Sequence, residues 1–124
     1  MRRRISYLGP LPMLLCITLL VGCASAPQGF DCSGLVRYAY LAAGRDVPRT
    51  TSEQFRTARS IRQRKLEAGD LLFFRIDSRE VTHVAIYTGH GRFVHAPQSG
   101  KSVETRALDD EWYADRLVGA GRLH

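Results

Sequence analysis

Past residue 70 the apolar residues of this chain stop recurring every third or fourth position and begin to alternate. That change of period constrains the fold more than any other feature, because a 3.6-residue repeat builds helices and a two-residue repeat builds strands. On the helical side, Asp31 is a good N-cap candidate for a helix running from Cys32 to Ala43. Its apolar positions are Leu35, Val36, Ala39, Leu41, Ala42 and Ala43, and Gly44 is a plausible stop. "PRTTSEQFRTARS" offers a second helix, capped by Thr51 or Ser52, with Glu53 and Gln54 in its first turn and Phe55 and Ala58 facing inward. The arginine-rich "RTARSIRQRK" reads as a solvated helix face and loop, and "RKLEAGD" as a turn at Gly69-Asp70. Then come three strands, "DLLFFRI", "THVAIYTG" and "GRFVHAP", the last two joined through Gly89-His90-Gly91. "KSVETRAL" alternates more weakly, "DDEWYAD" suits a short helical turn, and "RLVGAGRLH" ends the chain as an expected edge strand. Helices first and an antiparallel sheet afterwards predict an α+β domain.

The N-terminal residues read as an address. Arg2, Arg3 and Arg4 precede an apolar run, Ile5 to Val21, that ends in "LLVGC". A positive segment, an apolar segment and small residues make a secretory signal. Gly9, Pro10 and Pro12 interrupt the run and leave about nine clean apolar positions, against the roughly 20 that a bilayer span needs. "LVGC" resembles the lipobox of bacterial lipoproteins, which implies cleavage before Cys23 and lipid on its sulfur and amine. The expected organisation is a signal peptide over 1–22, a lipidated Cys23 with a short linker to residue 29, and a domain over 30–124. Residues 24–29 reach about 20 Å at most when extended, so the domain would sit close to a membrane surface. The full chain carries 18 Lys and Arg against 12 Asp and Glu, a net charge of +6. Without the three leading arginines only +3 remains, spread along the chain, and that gives little support to nucleic-acid binding.

The same reading sorts the three cysteines. Cys16 leaves with the signal and Cys23 is taken by lipid, so Cys32 stands alone in an oxidising compartment with no disulfide partner. An unpaired exported thiol is either a buried small hydrophobe or a working residue. In the first turn of a helix it meets the positive end of the helix dipole and unpaired N–H groups, both of which favour thiolate. Asp31 beside it works in the other direction, so a base is needed from elsewhere. His83 and His95 lie in the strand region, and an imidazole can take the thiol proton and return it to a leaving amine. Each also has a plainer reading, as a satisfied core histidine or as a strand end. His90 and His124 read as solvated. Without a C-x-x-C or H-x-x-x-H pair, neither a metal nor another cofactor is expected.

Parity tests whether the two histidines can cooperate. A plain two-residue loop at His90-Gly91 would pair Gly89 with Arg92 and put His83 and His95 on opposite faces. A three-residue loop over 89–91, or a two-residue loop with a bulge, would bring them to one face. The cooperative reading therefore predicts one of those two hairpins, with glycine in a left-handed conformation.

"FDCSGLVRYAY", "PRTTSEQF", "LEAGDLLFF", "HVAIYTGHGRFVHAP" and "SVETRAL", in that order, closely resemble the NlpC/P60 family of cell-wall cysteine peptidases. The resemblance runs from Phe30 to the C-terminus and implies a papain-like fold, with the nucleophile helix packed on a five- or six-stranded antiparallel sheet. It implies that Cys32 is the nucleophile, His83 the general base and His95 the polar residue that orients it. Asp31 and Ser33 match positions used to bind the stem peptide, and Gly69-Asp70 matches a structural turn. The implied activity is cleavage of peptidoglycan stem peptides between γ-D-glutamate and a diamino acid through a thioester acyl-enzyme. Ala24 after Cys23 resembles lipoproteins sorted to an outer membrane, facing the periplasm. Family members usually carry a helix and a "Y-x-x-G-G" segment before the cysteine. Here "ASAPQG" stands in that place, so a domain shortened on its N-terminal side is expected. A wall-binding or regulatory lipoprotein with a vestigial site, or another thiol amidase or acyltransferase, are the alternatives.

Overall fold

The computed structural model describes residues 30–98 and 102–124. The expected signal segment, Cys16, Cys23 and the linker lie outside the described residues.

Helix α1 spans Cys32–Ala42. Asp31 is its N-cap, as the sequence suggests: its backbone is extended and its carboxylate accepts the Gly34 N–H at 2.6 Å. Gly44, at φ +84°, takes the left-handed conformation that ends the helix. The inward face is Leu35, Val36, Ala39 and Tyr40, whereas Leu41 and Ala42, expected inside, are exposed. Tyr40 takes the place given to Leu41 because its hydroxyl can donate to the buried Gly69 carbonyl at 2.6 Å. Tyr40 is thus an apolar ring with a satisfied polar tip.

Helix α2 spans Thr51–Thr57, capped by Thr50 and not by Thr51 or Ser52. The Thr50 hydroxyl accepts the Glu53 N–H and donates to the Glu53 carboxylate, so "T-x-x-E" beginning at Thr50 was the informative spacing. Gln54, not Phe55, is the fully buried residue of this helix. Its amide nitrogen bridges to the carbonyls of Ser33 and Pro48, tying α2 to α1. Phe55 is about two-fifths exposed and lays its ring edge against Phe73.

Six antiparallel strands follow: β1 (Arg59–Ile61), β2 (Leu71–Phe74), β3 (His83–Gly89), β4 (Arg92–His95), β5 (Glu104–Ala107) and β6 (Leu117–Arg122). A short 3-10 turn, Gln63–Lys65, leads into β2, and a four-residue helix α3, Glu111–Ala114, precedes β6. The strand order is β1-β6-β2-β3-β4-β5. Two expectations are corrected. The terminal strand β6 is interior, and the edge on its side of the sheet is β1, inside the segment read as a solvated helix face and loop. Three exposed or half-exposed residues carry no alternation that would betray a strand. Gly121 of β6 explains the close fit on that side, since a Cβ there would meet the Ala58 Cβ at 2.6 Å and the Phe73 ring at 3.2 Å.

The sheet separates two apolar layers. Leu71, Phe73, Val84, Ile86 and Val94 pack with the inward face of α1. Leu72, Phe74, Ala85 and Phe93 face the other way, against Tyr113 of α3 and Leu117. Each fully buried Leu, Ile or Phe contributes about 1.5–3 kcal/mol relative to exposure. At the end of the sheet near Gly69, the carboxylate of Asp70 is completely buried. It accepts from Arg122 at 2.7 and 2.8 Å, from the His124 ring at 3.0 Å and from the Glu67 N–H at 2.8 Å. Burial alone would raise its pKa, but these donors hold it below the usual carboxylate value. His124, expected to be solvated, is therefore part of this buried cluster.

Candidate active site

The hairpin between β3 and β4 decides the site. Ile86 pairs with Val94 and Tyr87 with Phe93, but Gly89 pairs with Arg92, so the register shifts between Tyr87 and Gly89. Thr88 is the extra residue, and its hydroxyl donates to the Arg92 carbonyl at 3.1 Å. This is the two-residue loop with a bulge, one of the two hairpins that parity allows. His90 and Gly91, at φ +56° and +72°, form the turn, and Gly89 is left-handed at +95°. His90 is exposed, as expected.

With that register His83 and His95 share a face. His83 Nε2 lies 2.8 Å from His95 Nδ1, with the rings nearly perpendicular. The face is the one opposite α1, where the imidazoles stand among Phe74, Phe93 and Tyr113. Cys32 belongs to the other layer. The two layers meet at the sheet end where β3 starts and β4 stops, because the first residue of α1 reaches over that end. The Cys32 thiol lies 3.8 Å from the Thr82 carbonyl, one residue before His83, and 3.4 Å from the Thr51 hydroxyl. Cys32 and His83 open into one cleft of about 420 Å³, walled by Asp31, Ser33, Thr51, Thr82 and Pro97.

Burial sets the charge of the histidines. His83 is pushed down to about 4, first by desolvation and then by the neighbouring His95 ring. His95 is also lowered by its burial, which outweighs the opposing pull of the Glu104 carboxylate. Both rings are therefore neutral at pH 7, and His83 is a proton acceptor. His95 Nε2 lies 2.9 Å from Glu104 Oε2, directly across the β4–β5 pairing. Arg106 donates to the same oxygen at 2.9 Å.

Asp31 and Ser33 are at the cleft, but their polar atoms have a partner the sequence reading did not name. Arg49 donates to Asp31 at 3.0 Å and to the Ser33 hydroxyl at 3.0 Å. The Arg49 guanidinium, with burial opposing it, holds the Asp31 carboxyl below its usual value. Thr51, Glu104 and Arg106 were also missed. Glu104 was findable: once His95 is placed on an inward face, a weakly alternating "ETR" next to it offers charged residues at the same pleat.

A family model described as the NlpC/P60 family matches residues 21–122. The chain belongs to the NlpC/P60 family. It is 39% identical over 106 residues to murein DD-endopeptidase MepH of Escherichia coli K12, covering 82% of this chain and 39% of that protein. It is 38% identical over 96 residues to a γ-D-glutamyl-L-lysine dipeptidyl-peptidase of Bacillus cereus, covering 76% of this chain and 29% of that one. The chain thus spans well under half the length of these relatives. Among solved structures, the NlpC/P60 domain of the peptidoglycan hydrolase SagA superposes with a TM-score of 0.71 at 34% identity, covering 90% of this chain and 97% of that one. The six-stranded antiparallel sheet with few helices matches the α+β architecture of these NlpC/P60 structures.

Proposed function

We propose that this NlpC/P60 domain is a peptidoglycan hydrolase, a cysteine endopeptidase acting on stem peptides. The observation that carries the reading is the convergence of the Cys32 thiol and the His95-bonded His83 on one open cleft. In the proposed reaction neutral His83 takes the thiol proton while the sulfur attacks the peptide carbonyl. The imidazolium then gives that proton to the departing amine, leaving a thioester on Cys32. Water, deprotonated by the again neutral His83, attacks the thioester carbonyl. The acid product leaves and the thiol recovers its proton.

The bond we assign is the one between γ-D-glutamate and the diamino acid. The dipeptidyl-peptidase relative supports it by name, while MepH is named for a different linkage. We further propose that the chain is exported and anchored by lipid on Cys23, in an outer membrane facing the periplasm. The lipobox-like "LVGC" and Ala24 support this.

Purified chain is incubated with peptidoglycan and the soluble muropeptides are identified by mass, with Cys32→Ala as control. The expected result is products ending in γ-D-glutamate from the wild type only. Products cut between D-residues would move the assignment to the other bond. Wall binding without any product would replace the hydrolase by a binding protein. The mass of the mature N-terminus tests the anchor, which fails if Cys23 carries no lipid.

A further inference from the structure

The structure assigns a positioning role to Glu104: through His95 it dictates which nitrogen of His83 carries the proton and so leaves Nδ1 free to act on Cys32. Hydrogen-bond roles are linked along the row Glu104, His95, His83. Two ring nitrogens facing each other at 2.8 Å need one donor and one acceptor, and nothing within the pair says which is which. The choice is made at the far end of the row.

The Glu104 carboxylate can only accept. Burial opposes its charge, but the bonds from Arg106 and His95 hold its pKa below the ordinary value, so it is ionised at neutral pH. Facing it at 2.9 Å, His95 Nε2 must therefore bear hydrogen. His95 is neutral, so its Nδ1 is bare and accepts from His83 Nε2. His83 is neutral too, and with its proton on Nε2 the remaining nitrogen, Nδ1, is the base. One fixed negative charge thus sets two tautomers in series. The nearest groups hold that charge still. Arg106 donates to the oxygen that faces His95 and reaches the Asp110 carboxylate at 3.6 Å. The Asp110 side chain also caps α3, whose Tyr113 ring lies against His95.

This inference rests on the hydrolase reading only for its effect on rate, so its test has an arm independent of activity. The full chain is labelled with 15N-histidine and the protonated and bare ring nitrogens are read by NMR at neutral pH. The wild type is expected to show one tautomer for His83, with Nδ1 bare. A Glu104→Val variant, suited to a strand but unable to accept, is expected to show mixed tautomers at both histidines. Glu104→Gln keeps a carbonyl oxygen that Arg106 holds toward His95, and it is expected to restore the single tautomer.

In muropeptide release, Glu104→Val should lower kcat about 10- to 100-fold, the range in which outer hydrogen-bond partners that orient a histidine act, with KM within about twofold. Glu104→Gln should stay within about threefold of wild type. Protonated Nδ1 in the wild type overturns the proposal even if no variant folds. An unchanged single tautomer in folded Glu104→Val does so as well. If the wild type releases no muropeptide, the hydrolase reading fails and the spectra still decide the role of Glu104.

Discussion

His83 Nε2 and His95 Nδ1 stand 2.8 Å apart because Thr88 is one residue more than the shortest hairpin needs. Without the bulge the two strands would pair with the opposite parity. The histidines would then point to different sides of the sheet.

The buried pair makes stability depend on pH in a defined direction. The pKa of His83 is about 4 in the fold, against an ordinary value near 6.5. Between those values the unfolded chain binds more protons than the folded one, so unfolding becomes easier as the pH falls. The lowered pKa of His95 acts with the same sign. Melting temperature should fall steadily from about pH 6.5 toward pH 4, and His83→Gln should flatten that slope. A midpoint that rises over this range would contradict the burial of neutral rings.

Cys32→Ala should abolish muropeptide release, by at least about a thousandfold, as expected when a nucleophile is removed from a group of residues that act together. The thiol is only half-buried and its contacts are weak, so the melting temperature should move little. Chromatography of digests and thermal scans on the same preparations separate the two effects.

Gly34→Ala should destabilise, although alanine normally improves a helix by about 1 kcal/mol over glycine. A Cβ at Gly34 would lie 2.5 Å from the Asp31 oxygen that caps α1. Displacing that cap costs about 0.5–2 kcal/mol and also frees Arg49 from the edge of the cleft. Denaturant midpoints of wild type and variant give the sign directly, and a gain in stability would refute the capping contact.

Asp70→Ala should cost about 3–5 kcal/mol, because it leaves the largely buried Arg122 and His124 without their carboxylate. The melting temperature of a domain this size should drop by ten degrees or more, at about 4–8 °C per kcal/mol. The site lies away from the cleft, so a variant folded at low temperature should retain kcat.

Much of this was legible because the signals were local. The start of α1 followed from Asp31, its end from Gly44, and β2 to β4 from short apolar segments set off by Gly69, Gly89 and Gly91. The hairpin was narrowed to two forms by parity alone, which needs only a count. What escaped depends on contacts between distant residues. Tyr40 reads as a half-polar residue until the Gly69 carbonyl, 29 residues away, is known to face it. Gln54 reads as a solvated helix residue until α1 and the Pro48 turn surround its amide. His124 looks like a terminal residue until the Asp70 carboxylate is placed beneath it. The candidate site was legible as residue types, Cys32 with His83 and His95, which the fold brings together at one cleft. The parts that adjust it, Glu104 with Arg106 and Arg49 across Asp31 and Ser33, depend on strand register and loop packing that no short motif encodes.

The placement of β6 between β1 and β2 has a consequence for the order of assembly. Among the described residues β1, early in the chain, pairs only with β6, and β2 has β6 as one of its two neighbours. The meander from β2 to β5, with both histidines in it, can zip between consecutive strands. The sheet is finished only when residues 117–122 slide into its middle and Arg122 reaches Asp70 across 52 positions. Closure of such distant contacts is slow compared with hairpin formation. A chain that emerges N-terminus first would therefore present Cys32, His83 and His95 before the domain can close around them.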